Sequence, residues 1–277
     1  MYTHLQQAAR DRPPVSLSTL RKMKSSGEKI AAITAYDASF ALAVDLAGAD
    51  VVLVGDSLGM VVQGHATTVP VSMDDIIYHS RAVTRGLHRP FLIADMPFMS
   101  FATIEQAASN AARLMQEGGA KMIKLEGGAP QLKVVEHLAS CDIPICAHIG
   151  LTPQSVHKIG GFKVQGRGDD AASRLLEDAI ALERAGADLL VLECVPNAVG
   201  QQITDALTIP TIGIGAGPDT SGQIIVLYDI LDIAPGRKPR FAHNFLAGRD
   251  SIGDAIGTYV SGVKDLSYPA PEHCFAE

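Results

Sequence analysis

Short apolar runs recur along the chain, and each stops at a polar residue or a glycine. Runs of this kind predict strands at KIAAITAYD (29–37), DVVLVGD (50–56), PFLIADMP (90–97), AKMIKLEG (120–127), PICAHIG (144–150), DLLVLECVP (188–196) and PTIGIGAG (210–217). A weaker run, PRFAHNF (239–245), is the candidate for an eighth. The runs are apolar throughout rather than alternating, as expected of parallel strands with helices on one face and a packed interior on the other.

Between the runs the apolar spacing changes to that of helices. SMDDIIYHSRAVTRGL (72–87) opens with Ser72 and Asp75 spaced as a capping box. TIEQAASNAARLMQEGG (103–119) starts at Thr103 as N-cap and puts Ala107, Ala111 and Leu114 on one face before a glycine stop. Helices also fit 172–186, GQIIVLYDILD (222–232) and 249–266, with a leader helix over Ser18 to Lys24. Eight strand–helix units match the roughly 250 residues of a (β/α)8 TIM barrel, with a doubly wound sheet as the alternative. No linker or composition shift divides the chain, so a single domain over 1–277 is expected, with 1–28 as a leader segment positioned to cover the barrel bottom.

A barrel of parallel strands carries its chemistry at the C-terminal strand ends. Those ends hold Tyr36 and Asp37, Asp56 and Ser57, Asp95, Lys124 and Glu126, His148, and Glu193. Residues two apart share a strand face, so Lys124 and Glu126 point together into the mouth. Asp37 reads equally as a helix cap. Three acids at one level, Asp56, Asp95 and Glu126, repel one another unless a cation joins them. Oxygen ligands favour a hard ion, Mg2+ first and Mn2+ as a substitute, while His148 keeps zinc open.

Glu193, in an otherwise apolar strand, is the candidate general base, or alternatively a buried partner of Lys124. Lys124 suits an electrostatic role toward a substrate carboxylate better than a Schiff base. His148 fits either a substrate contact or a satisfied core histidine. The glycines of GIGAGPDTSG (213–222) suit a phosphate site or tight turning. HIGLTPQSVHKIGGFKVQGRGDD (148–170), with Lys158, Lys163 and Arg167, is long enough to be a lid or a subunit-packing loop.

Composition narrows the partners. A formal charge of −7 argues against nucleic acid and anionic membrane, leaving small molecules. Cys141, Cys146, Cys194 and Cys274 form no CxxC pair and read as free thiols of a reducing compartment. Without an apolar signal or spanning segment, a cytoplasmic location is expected.

The stretches ITAYDASFA, VLVGDSLGMVVQG, PVSMDDIIYHSRAV, ADMPFMSF, QEGGAKMIKLEGG, HIGLTPQSVHKIGGFKVQGR and IPTIGIGAG together resemble the ketopantoate hydroxymethyltransferase family, from about Lys29 to Phe245. The resemblance implies a barrel of the phosphoenolpyruvate/pyruvate type and a homo-oligomer, commonly a decamer. It implies Mg2+ on Asp56, Asp95 and Glu126, and a 2-oxoacid on Asp56, Ser57, Asp95 and Lys124. Glu193 falls on the proton acceptor and His148 on a supporting polar position. His65, where the family usually has tyrosine, is a departure that bears on the contacts of its loop.

The implied reaction is transfer of a hydroxymethyl group from 5,10-methylenetetrahydrofolate to 3-methyl-2-oxobutanoate, giving 2-dehydropantoate for pantothenate. No folate motif is visible, and the lid is the guess for part of that site. The alternatives are a folate-independent Mg2+-dependent 2-oxoacid lyase or aldolase, a Schiff-base aldolase on Lys124, and a ligand-binding barrel.

Overall fold

The computed structural model describes residues 12–236 and 238–276. Eight parallel strands close into a barrel in chain order: β1 Ile30–Thr34, β2 Val51–Val54, β3 Phe91–Asp95, β4 Met122–Glu126, β5 Ile145–Gly150, β6 Leu189–Glu193, β7 Thr211–Ile214 and β8 Gly222–Ile225. The first seven fall inside the runs predicted for them. The eighth does not: PRFAHNF forms no strand, and β8 is instead the start of the segment expected to be a helix. An apolar run as short as GQIIV carries no period that separates strand from helix. Only its end, Leu227–Ile230, is helical.

Gly222 makes the closure possible. A Cβ there would lie 2.2 Å from the Ile30 carbonyl oxygen, so only glycine lets β8 approach β1. Tyr259, fully buried on helix Ile252–Asp265, clamps the same seam by donating to the carbonyls of Ala32 and Gln223 at 2.9 and 3.0 Å.

Strand parity divides the core. Val52, Val54, Ile123 and Leu125 face outward into the layer beneath the helices. Val51, Leu53, Phe91, Met122, Leu189 and Val191 face inward and fill the barrel. Its bottom is closed by helix Leu17–Ser26, which inserts Leu20 and Met23 into that inner cluster, as expected of the leader. The part of the leader before Arg12 lies outside the described residues.

Local capping follows the sequence. Ser72 and Asp75 form a reciprocal capping box on Met73–Gly86. Thr103 caps Ile104–Gln116. Asp37 also caps, accepting from the Phe40 N–H at 2.8 Å, which settles it as a structural acid.

Candidate active site at the mouth of the barrel

On β3 to β6 the inward face changes from apolar to polar as the strand reaches the top. Phe91 and Ile93 lead to Asp95, Met122 leads to Lys124 and Glu126, Cys146 leads to His148, and Leu189 and Val191 lead to Glu193. Register pairs Asp95 with Lys124 and Glu126 with His148 on neighbouring strands. All five line one cavity of about 870 Å3 together with Asp56 and Ser57. The sequence-predicted site residues therefore converge.

Asp56 lies beyond β2, on a turn begun by Gly55. A Cβ at Gly55 would sit 2.9 Å from the Ser57 hydroxyl and 3.3 Å from Asp95 Oδ2. Without it, Asp95 Oδ2 accepts the Asp56 backbone N–H at 3.0 Å. Its Oδ1 accepts from Lys124 Nζ at 2.5 Å. Ser57 shares a 2.8 Å hydrogen bond with the Tyr36 hydroxyl.

Gln154 was not singled out from the sequence. Its side-chain amide donates to Asp56 Oδ2 and to the Met96 carbonyl, both at 2.9 Å, and its backbone N–H donates to Glu126 Oε2 at 3.0 Å. It is the point where the 148–170 segment fastens onto the acids. Leu151, Pro153, Phe162 and Val164 of that segment line the cavity as well. The one signal for Gln154 in the sequence was its place in a long segment directly after a strand end.

The charges do not balance like an ordinary ion-pair network. Burial works against the Lys124 ammonium, but Asp95, Glu126 and Asp56 outweigh it and hold the lysine charged well above its usual range. A permanently protonated amine is a poor Schiff-base nucleophile. Burial, Asp95 and Glu126 push Asp56 well above the ordinary carboxylate range, against Lys124 and Gln154. Asp95 is raised by burial despite Lys124. For Glu126 the burial penalty is overcome by His148, Lys124 and the Gln154 N–H, so its pKa falls.

His148 faces two carboxylates, with Nδ1 3.3 Å from Glu126 Oε1 and Nε2 3.3 Å from Glu193 Oε2. Neither approach is aligned as a hydrogen bond, so the attraction is between charges. Burial and Lys124 oppose the imidazolium, and the two carboxylates raise its pKa to about 9. Glu193 thus neighbours His148, while Lys124 pairs with Asp95, which removes the alternative of a Lys124–Glu193 pair.

The donor chemistry fits a hard divalent cation. Glu126 Oε1 is buried without a hydrogen-bond partner, and Asp56 is held near acids that only a proton or a cation can relieve. Among the described residues no three acid, histidine or cysteine side chains are grouped so as to hold a metal ion by themselves. An ion that takes few carboxylates and completes its shell with water or substrate oxygens matches such an open set.

The glycines after β7 are explained by packing. Gly215 and Gly217 have φ of 61° and 84°, and at Gly215 a Cβ would lie within 3 Å of the Phe241 and Phe275 rings. The four cysteines are free thiols.

Among solved structures, the chain is similar to a phosphonopyruvate hydrolase, with a TM-score of 0.59 and 15% identity over 94% of this chain and 93% of that one. It is also similar to 2,3-dimethylmalate lyase, a PEP mutase/isocitrate lyase superfamily member, with a TM-score of 0.55 and 15% identity over 77% and 81%. These likenesses bear on the fold, a closed parallel (β/α)8 barrel. The 3-methyl-2-oxobutanoate hydroxymethyltransferase of Alkalilimnicola ehrlichii is 57% identical over 264 residues, covering 95% of each chain. Residues 14–271 match the profile of one family, and with that relative they establish that the chain belongs to the ketopantoate hydroxymethyltransferase family.

Proposed function

We propose that the protein is a 3-methyl-2-oxobutanoate hydroxymethyltransferase that takes its one-carbon unit from 5,10-methylenetetrahydrofolate and makes 2-dehydropantoate for pantothenate synthesis. The observation that carries this is a buried ammonium, Lys124, set among carboxylates two strands from Glu193 in a chain of that family. A 2-oxoacid needs such a cation at one end and a base at its C3 hydrogen.

Lys124 attracts the carboxylate and oxo oxygens of 3-methyl-2-oxobutanoate, and the Ser57 hydroxyl, held by Tyr36, fixes the orientation. Glu193 removes the C3 proton. His148 keeps Glu193 in place through its charge at 3.3 Å. Negative charge develops on the enolate oxygen near Lys124, where a fixed cation in a dry site acts most strongly. The enolate carbon bonds to the one-carbon unit as its two carbon–nitrogen bonds break; one water supplies the hydroxyl oxygen, and tetrahydrofolate leaves with the protons its nitrogens need. Asp56, Asp95 and Glu126 would hold Mg2+, which when bound supplies Lewis-acid polarisation of the oxo group.

The segment around Gln154 and Phe162 covers the cavity and keeps water from the enolate. The exposed Phe98 and Met99 leave apolar surface compatible with a homo-oligomer, a decamer by resemblance. No described helix is long and apolar enough to cross a membrane.

The test is incubation with 3-methyl-2-oxobutanoate, methylenetetrahydrofolate and Mg2+, with and without EDTA, following 2-dehydropantoate by mass spectrometry. Product that disappears with EDTA is the expected result. Folded protein that gives no product under these conditions overturns the transferase and favours the folate-independent lyase.

A further inference from the structure

The cavity continues past its charged floor. On the side of β7, β8 and the turns after β8 its wall is largely apolar, carried by Ile214, Pro235, Phe241 and Phe275, with Lys238 and Arg240 at its edge. Two acids stand in that wall: Asp232, exposed and paired with Lys238, and Asp229, buried on the short helix Leu227–Ile230. Asp229 is 8% exposed. Among the described residues no donor hydrogen-bonds its carboxylate. The nearby cation Lys238 is engaged elsewhere, donating to Asp232 at 2.7 Å.

Tyr36 joins this half of the cavity to the other. Its ring packs on Tyr228, the neighbour of Asp229, at 5.9 Å between centroids, and its hydroxyl meets Ser57 at 2.8 Å. Burial raises Asp229 to about 6, with Asp232 adding to the rise and Lys238 opposing it, so near neutral pH it is ionised. A buried carboxylate without a donor is costly, and a ligand that brings donors recovers that cost. The ligand must be flat and largely apolar to lie on this wall, and must offer adjacent N–H groups on one edge.

We propose that Asp229 and the Phe241–Phe275 wall form the head-group subsite of the one-carbon carrier. The carboxylate accepts from the ring N–H and the exocyclic amine of a 2-amino-4-oxopteridine. Those two donors lie side by side, as in a guanidinium, and match a carboxylate in the bidentate manner. This inference rests on the folate-dependent function above and assigns the residue that recognises the carrier.

The test is calorimetric binding of tetrahydrofolate, with the 2-oxoacid present, to the wild type and to Asp229→Asn. Binding is expected to weaken about 10- to 100-fold in the variant, the range for lost hydrogen bonds to a charged group. Binding of 3-methyl-2-oxobutanoate alone stays unchanged. The wild type should also disfavour 2-desaminotetrahydrofolate, while the variant discriminates much less. Tetrahydrofolate affinity of the wild type should fall as pH drops through about 6.

Equal tetrahydrofolate affinity in wild type and variant overturns the assignment of Asp229 but leaves the folate-dependent function standing. A wild type that binds no tetrahydrofolate overturns both. Should Asp229→Asn misfold by circular dichroism, the wild type decides alone: indifference to the 2-amino group overturns the proposal.

Discussion

The two ends of the barrel treat buried acids differently. At the bottom, Asp50 is fully buried and saturated: it accepts from the Ala31 N–H at 3.0 Å, from Arg89 at 2.8 Å and from Lys264 at 2.6 Å. Asp45 is likewise fully buried and takes Arg12 and the N–H groups of His88 and Arg89. At the top, Asp56, Asp95 and Glu126 share one lysine, Glu126 Oε1 has no hydrogen bond, and Glu193 has a misaligned histidine. Saturated charge holds a fold together, whereas charge left short of partners is held ready for something that binds.

The contrast breaks most forcefully at the bottom. Asp50→Asn leaves Arg89 and Lys264 without their carboxylate and should cost about 3 kcal/mol of stability, near the low end for a broken buried pair because both cations keep solvent contact. Urea unfolding should report that loss while turnover per folded molecule stays near wild type. A large drop in turnover would mean that the bottom acids also serve the chemistry.

At the top the effects should reverse. Glu193→Gln keeps the shape and is expected to lower kcat by about 100-fold or more, with urea stability nearly unchanged. Activity near wild type would remove Glu193 as the base. Asp95→Asn takes away the acceptor that holds Lys124 and the Asp56 N–H together. Calorimetry should find Mg2+ affinity lowered about 10-fold or more, and unchanged binding would take Asp95 out of the metal set.

Much of this contrast was legible in the chain because strand parity is strict. Once 122 points inward, 124 and 126 must follow, and the same rule aims Asp95, His148 and Glu193. Residues off the strands obey no such period. Gln154 reaches Asp56 and Glu126 from a 3-10 turn, and Asp229 lines the cavity from a one-turn helix behind a four-residue strand. The misassigned β8 hid Asp229 for that reason. The saturation of Asp50 was equally invisible, since its partners Arg89 and Lys264 come from distant segments that only the closed fold brings together.

The smallest effect gives the sharpest comparison. Asp56→Asn replaces an acid whose folded pKa is raised by burial and by Asp95 and Glu126. Below the ordinary carboxylate range the folded and unfolded states both carry the proton, and Asp56 costs nothing. As pH rises from about 4, the unfolded chain releases its proton first while the folded one still holds it, so stability falls until the raised pKa is passed. The asparagine variant lacks that fall. With chelator present, it should therefore be more stable than wild type near neutral pH, and the gap should close toward about pH 4. Mg2+ should stabilise the wild type by binding its folded state, and should do so less in the variant. Urea titrations across pH measure both curves. An asparagine variant less stable than wild type at every pH would place Asp56 with the saturated acids of the bottom and end the distinction between the two ends.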